Sequence, residues 1–345
     1  MATIRDVAKL AGVSISTVSL VLNDPSRVSA ETLRKVRDAA EAVGFTADPI
    51  ARSLKSGSSQ LIGMVAGDVG NPFFGKLLKE VQRSALEKDH LVIVSASRGI
   101  EAHESRILDF LAGQRVAGII ISPHSHDAAF LAQIKRLSMP VVFLDHYVEG
   151  ADSDFVGSDN ILASSMLTEH MLRVGHRRIA LIAGQSGLYS ADQRTEGFRT
   201  TMTAAGVDID PTLIVDAEYD GERAYAETMR LLTRADRPTA ILAANNIMAL
   251  GALQAIMDLG FSCPDDISLT CIDDVPWSNV IRPRLTMVVQ PVEELARIAS
   301  AMLFERIANR NGPPIAPRKR VLIPKLVLGQ SCTRPRATAF EATPA

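Results

Sequence analysis

Along residues 1–45 the apolar positions recur at helical spacing. Ile4, Val7, Ala8 and Ala11 share one face and predict a helix over Ile4–Ala11. Thr3 followed by Asp6 makes a capping pair, with a shorter acid than usual at the third position. Gly12-Val13 breaks that helix. Ser14 caps a second, Ile15–Leu22, which stops near Asn23-Asp24-Pro25. Ser29 caps a third, Ala30–Val43, with Leu33, Val36, Ala40 and Val43 on its inner face and Gly44 as its stop. Residues 46–60 (TADPIARSLKSGSSQ) read as a hinge: Asp48 is an N-cap, Pro49 suits the first helical position, and Ile50–Leu54 forms a helix too short to hold alone in water.

From Leu61 the pattern changes. Short apolar runs alternate with amphipathic stretches, which predicts parallel sheets flanked by helices. The runs are Leu61–Ala66, Leu91–Ser95, Gly118–Ile121, Val141–Leu144, Ile179–Ala183, Ala240–Ala243 and Ile267–Ile272. Between them lie helical segments such as Phe74–Lys88, Glu101–Ala112, Ile161–Val174 and Asn245–Leu259. This is too much chain for one plain sheet, so the expected fold is a helix-turn-helix headpiece (1–45), the hinge (46–60) and an α/β core of two doubly wound lobes (61–333). The break is expected near Asp159–Asn160, with Val292–Ala308 returning to the first lobe. The first lobe then spans 61–159 and 292–320, and the second 160–291 and 321–333. Residues 334–345, rich in Pro, Thr and Ala, are expected to be a loose tail.

Composition narrows the class. The 345 residues are 47% hydrophobic and 22% charged, the balance of a folded chain. Net charge is −2, from 37 Lys and Arg against 39 Asp and Glu, which excludes a polymer-coating basic protein. Residues 1–57 carry eight basic and six acidic side chains, a net of only +2, so nonspecific attraction to DNA is modest and a nucleoid-structuring role is disfavoured. Cys263, Cys271 and Cys332 show no CxxC spacing, so neither a disulfide framework nor a cysteine zinc finger is supported. No apolar run reaches the length of a spanning helix. The opening MATIRDVAKL places charges where a signal peptide needs its apolar core, and a cytoplasmic protein is expected.

Catalytic motifs are weak. Gly184-Gln185-Ser186-Gly187 lacks the GxSxG spacing of a nucleophile elbow, and neither GxGxxG nor GxxxxGK[ST] occurs. Asp273 and Asp274 are adjacent, with no assignable partner acid. His124-x-His126-Asp127 offers two imidazoles without a defined third ligand and reads as a polar strand-end loop. No metal, cofactor or enzymatic activity is expected.

The first two helices, joined by a short glycine-containing turn, fit a helix-turn-helix. Val18 and Val21 face inward; Ile15, Ser16, Thr17, Ser19 and Leu20 are displayed. The stretches TIRDVAKLAGVSISTVSLVLN, VSAETLRKVRDAAEAVGF and DPIARSLKSG resemble the DNA-binding headpiece and hinge of the lactose/purine repressor (LacI) family. GDVGNPFF, RVAGIIIS, Gly175-His176-Arg177-Arg178-Ile179, RPTAILAANNIMALGAL and DISLTCIDD resemble that family's effector-binding core, which is periplasmic-binding-protein-like. The similarity covers nearly the whole chain.

The resemblance implies a dimer on a palindromic DNA operator, regulated by a small molecule between the lobes. It places Ile15, Ser16 and Leu20 at base-reading positions. With no long bidentate donor there, contacts to thymine methyls replace a strong guanine contact. Thr3, Ser14, Thr17, Ser19 and Asn23 become caps or phosphate contacts. In the hinge, Ile50 and Arg52 join the DNA contacts, and Leu54 becomes a wedge in the minor groove. For the effector, the resemblance carries over Arg194, whose fork would span adjacent ligand oxygens, Asp273, which would accept from hydroxyls, and Asn245, which could donate or accept, with Phe73, Phe74, Tyr219 and Trp277 as aromatic walls. Asn246 departs from the family's usual aspartate. Leu188 and Ser190 stand where purine-binding relatives place polar contacts, and the apolar Leu188 weighs against a purine base. A sugar or sugar acid is the expected effector. The rival readings are an exported solute-binding protein or a sugar-processing enzyme on the same core; the N-terminal helices and hinge speak against the first.

Overall fold

A computed structural model describes residues 2–23, 27–45, 59–275, 278 and 280–336, with Asn23 described in its backbone only. The chain divides into two compact units, Met1–Gln60 and Leu61–Ala345. The expected hinge helix, with Ile50, Arg52 and Leu54, lies outside the described residues, as does Trp277.

The first unit holds α1 (Ile4–Ala11), α2 (Ile15–Asn23) and α3 (Ala30–Ala42). The Asp6 carboxylate accepts from both the backbone N–H and the hydroxyl of Thr3 at 2.8 Å, so the shorter acid does close the cap. Gly12 ends α1 with φ +66°, the left-handed conformation that favours glycine, and this makes the sharp turn into α2. Val7, Ala8, Val18, Val21, Val36 and Ala39 are buried together. On α3 the buried alanine is Ala39; Leu33, Ala40 and Val43, expected on the inner face, only flank this small core.

The second unit contains two six-stranded sheets. The first-lobe strands are β1 (Leu61–Ala66), β2 (Leu91–Ala96), β3 (Gly118–Ile121), β4 (Val141–Leu144), β5 (Asp154–Ser158) and β11 (Lys319–Leu322). Their order is β11-β5-β4-β3-β1-β2, all parallel. The second sheet uses β6 (Ile179–Ala183), β7 (Ile214–Asp216), β8 (Ala240–Ala243), β9 (Ser268–Ile272), β10 (Thr286–Val289) and β12 (Lys325–Val327). Its order is β12-β10-β9-β8-β6-β7, parallel except for the antiparallel β10–β12 pair. The two sheets therefore repeat one strand order.

Crossover helices cover both faces. Those of the first lobe are α4 (Pro72–Leu86), α5 (Glu101–Gly113) and α6 (Ala128–Arg136); those of the second are α7 (Asn160–Val174), α8 (Tyr189–Ala204), α9 (Gly221–Leu232) and α10 (Asn246–Asp258). α11 (Val292–Ala308) returns to the first lobe, burying Leu295, Ala299 and Leu303 with Ile62 and Leu77.

Three expectations are corrected. The second recrossing from first lobe to second was placed after residue 320, inside what is β11; the chain instead crosses through Ile323-Pro324, between β11 and β12. Strands β5, β7, β10, β11 and β12 were not among the expected runs; all but β10 carry a charged residue that interrupts the apolar run. Finally, residues 334–336 are not loose. Arg336 pairs with Asp265 and Asp266, and Pro335 lies against Gly175. Just before them Thr333 bonds Ser268, whose hydroxyl meets His176 at 3.0 Å. A buried imidazole with two hydroxyl partners, Thr239 and Ser268, thus anchors this end of the second lobe.

Candidate functional site

On the headpiece, Ser14 accepts from the Thr17 backbone N–H at 3.1 Å, and its hydroxyl also meets those of Ser16 and Thr17. Ser14 is therefore the α2 cap, which starts the helix where the turn delivers it. Ile15 (46% exposed) and Ser16 stand in solvent at the helix start, while Thr17, Ser19 and Leu20 are half-buried. The outward face of α2 thus displays Ile15 and Ser16, free of long donors, whereas Thr17, Ser19 and Leu20, expected to be displayed with them, are only half-exposed.

In the core, the strand ends of both lobes face a cavity of about 380 Å³. Phe73, Phe74, Arg194, Tyr219, Asn245 and Asp273 all line it. Phe73 and Phe74 enter from the start of α4, where Asn71 caps by accepting from the Phe73 N–H. Phe73 is buried in the first-lobe core, and Phe74 meets it edge-on at 5.2 Å.

Arg194 is buried on α8. Its Nε donates to Asn160 at 2.8 Å and its Nη1 to the Ala244 carbonyl at 2.6 Å. The fork expected to span two ligand oxygens is thus partly used by the protein, and Nη2 is the nitrogen left for a ligand. Burial works against the guanidinium charge, but Tyr219, Asp273 and Asp145 outweigh it and hold its pKa above the usual value. Tyr219 lies under this guanidinium, 6.0 Å from ring centroid to Cζ, and its hydroxyl meets Ser190 at 2.7 Å. The ring fits because residue 184 is glycine: a Cβ there would stand 2.2 Å from the Tyr219 ring.

Asn245 caps α10, its Oδ1 accepting from the Met248 N–H at 2.7 Å. It was expected to donate or accept toward a ligand; the cap commits its oxygen and leaves the amide nitrogen as donor. Asp273 accepts from Gln290 Nε2 at 2.7 Å through Oδ1, so Oδ2 is its freer acceptor. Burial raises its pKa, opposed by Arg194 and the Gln290 bond. Asn246, in place of the family's aspartate, donates to Asn71 at 3.3 Å and to the Asp274 carbonyl at 3.2 Å, and Lys76 reaches Asp274 at 3.4 Å. These contacts join the lobes at the rim.

The first-lobe wall was missed from sequence. Ser122, His124, Asp145 and His146 all line the cavity. Asp145 follows β4 as Asp273 follows β9, and those strands hold equivalent places in the two sheets. Both aspartates have φ +73°, and both donate their N–H to the next strand, Asp145 to Val156 and Asp273 to Val288. An apolar run closing on aspartate was thus a visible signal, recognised only once. Ser122 Oγ, Asp145 Oδ1 and His146 Nδ1 are buried without a hydrogen-bond partner among the described residues. Burial raises the Asp145 pKa to about 6, against the pull of Arg194. Burial, with Arg194 and His124, lowers that of His146 to about 3, so its 3.4 Å approach to Asp145 is that of a neutral imidazole, not an ion pair. His124 is held by Glu104, a fully buried carboxylate that accepts from the His124 and Ser125 backbone N–H groups at 2.8 and 2.9 Å. Among the described residues no cluster of three or more His, Cys, Asp and Glu could hold a metal, and no helix is long and apolar enough to cross a membrane.

Comparison with known proteins places these two units. Residues 3–48 match the family model for bacterial regulatory proteins of the lacI family, and residues 168–332 match a periplasmic binding protein-like domain. The HTH-type transcriptional repressor PurR of Mannheimia succiniciproducens is 32% identical over 335 residues, spanning 96% of this chain and 98% of that one. The chain belongs to the LacI family. This LacI-family chain is therefore a DNA-binding transcriptional regulator and not an enzyme. Among solved structures, the lac repressor dimer bound to operator and the anti-inducer ONPF superposes with a TM-score of 0.84 at 28% identity, covering 96% of this chain and 99% of that one. The transcriptional regulator CelR in complex with cellobiose gives 0.72 at 27% identity, covering 96% and 100%.

Proposed function

We propose that this regulator is a repressor that binds a palindromic operator as a homodimer and responds to an uncharged sugar held in its interlobe cavity. The observation that carries the effector class is the chemistry of the cavity wall. Buried hydrogen-bonding atoms without partners call for a ligand that supplies them, and Ser122 Oγ, Asp145 Oδ1 and His146 Nδ1 form such a set on the first lobe. Arg194 Nη2, Asp273 Oδ2 and the Asn245 amide face the same space from the second. Together they offer donors and acceptors from two sides, which suits a ring of hydroxyls.

Charge argues against an acid. Asp68, Asp145, Glu218, Asp220 and Asp273 line the cavity against only Arg98 and Arg194, so a carboxylate or phosphate would enter a net negative field. Of the two effectors the sequence suggests, the neutral sugar is favoured over the sugar acid. The apolar Leu188 in the wall gives a purine base little to bond there. The cellobiose held by CelR, a structural relative, is in keeping with this reading. On the DNA side, Ile15, Ser16 and Leu20 read bases, and the caps Thr3 and Ser14 fix the helices against phosphates. Two-fold symmetry of the dimer sets the symmetry of the operator.

Thermal melting against a panel of neutral sugars, sugar acids and purine bases tests the effector. We expect stabilisation from one or more neutral sugars only, lost in Arg194→Ala. A shift from purines or sugar acids alone would overturn the class.

A further inference from the structure

Lys319 lies on β11, the last first-lobe strand before the crossing at Ile323-Pro324. Its ammonium sits 4.1 Å from the ring centroid of Tyr147, 5.5 Å from that of Tyr189 and 5.6 Å from that of Phe155. The three rings meet one another edge-on at 5.2 to 5.9 Å, which makes them one cage and not three chance neighbours. The ammonium stands over the face of each ring, where the negative quadrupole attracts it.

The cage is built from both lobes. Tyr147 and Phe155 belong to the first, and Tyr189 opens α8 in the second. It is also continuous with the cavity. Tyr147 follows Asp145 and His146, and Tyr189 stands between Leu188 and Ser190; all four of those neighbours line the cavity. A change in the angle between the lobes therefore moves Tyr189 against the other two rings and against Lys319.

We propose that Lys319, seated among Tyr147, Phe155 and Tyr189, is a cross-lobe latch that favours the lobe arrangement seen here. It differs in kind from the polar rim contacts of Lys76 and Asn246. A cation over rings loses its hold gradually with distance and keeps no fixed hydrogen-bond geometry, which suits a contact that must release and re-form. Because the same two loops line the cavity, occupancy there and closure of the latch are linked.

Distances between the lobes test this without any ligand. Spin labels on the full chain at two exposed helix positions, Lys135→Cys on α6 and Arg199→Cys on α8, report the interlobe distance by double electron–electron resonance in protein diluted with unlabelled chain. The arrangement seen here should give one dominant distance. Lys319→Met should reduce its population relative to other distances about threefold to tenfold, the range of a partly exposed cation–π contact. Tyr189→Leu should do the same, and the double variant no more than either alone. Lys319→Arg, which keeps the cation, should restore the dominant distance, and Lys325→Met should leave it unchanged. An unaltered distribution in Lys319→Met, or additive effects of Lys319→Met and Tyr189→Leu, would overturn the latch.

Discussion

Asp145 concentrates the argument at the scale of single residues. Its carboxyl group is buried, has one oxygen without a partner, and titrates near pH 6 instead of 3.8. Between those values the folded chain holds a proton that the unfolded chain has released. Stability from this group therefore falls as pH rises through the window, and the cost is complete above about pH 6, on the order of 1–3 kcal/mol. We predict that Asp145→Asn melts higher than wild type at pH 7.5 without ligand, and that the gap closes as pH falls toward 4. The same substitution should abolish the sugar-induced shift, because one acceptor oxygen is replaced by an N–H donor and the other loses its charge. A variant that melts lower at pH 7.5 and still responds to sugar would contradict both halves. Residues of this kind were only half legible in sequence. Arg194 and Asp273 stand out in motifs; Asp145 closes an apolar run as Asp273 does, but that its Oδ1 and His146 Nδ1 are buried without partners is not written in the letters. Likewise the commitment of Arg194 to Asn160 and to the Ala244 carbonyl depends on distant segments meeting.

Among elements, the helices of the headpiece were the most legible. Their stripes, their serine caps and Gly12 all lie within a few residues of one another, so local chemistry decides them. Strands buried on both faces, such as β3 and β8, read as apolar runs. The missed strands are those decided by position in the sheet: β11, Lys-Arg-Val-Leu, is an exposed edge whose pairing with β5 gives it strand structure that its composition does not announce. Leu54 belongs to this scale too, because its proposed role needs a hinge helix that forms when held. We predict that Leu54→Ala leaves the melting temperature and the sugar response of the core unchanged while weakening operator binding about tenfold or more, since the unstacking wedge is lost. Equal operator affinity in a titration of the two proteins would remove the wedge from the account.

For the whole molecule, the informative fact is duplication. Two sheets with one strand order place Asp145 and Asp273 at equivalent strand ends, so each lobe presents an aspartate to the same cavity. The sequence shows no repeat to the eye, because a doubly wound lobe constrains hydrophobicity and strand order far more than residue identity. Ligands in open α/β sheets collect at such strand ends, and here two sets of ends share one ligand space. On the proposed function, a sugar that bridges them would have different affinities for different lobe angles, and by linkage that difference would appear in DNA affinity.

The central claim is that one chain joins a DNA-reading headpiece to a sugar-reading core and that each responds to the other. Fluorescence anisotropy measures this directly, using a palindromic duplex selected by the full-length protein from a random pool and titrated with and without the neutral sugar that raises its melting temperature. The account predicts saturable, salt-sensitive binding to that duplex and at least a tenfold change in its affinity with the sugar. Failure to select any palindrome, or an affinity that is the same with the stabilising sugar and without it, would contradict it.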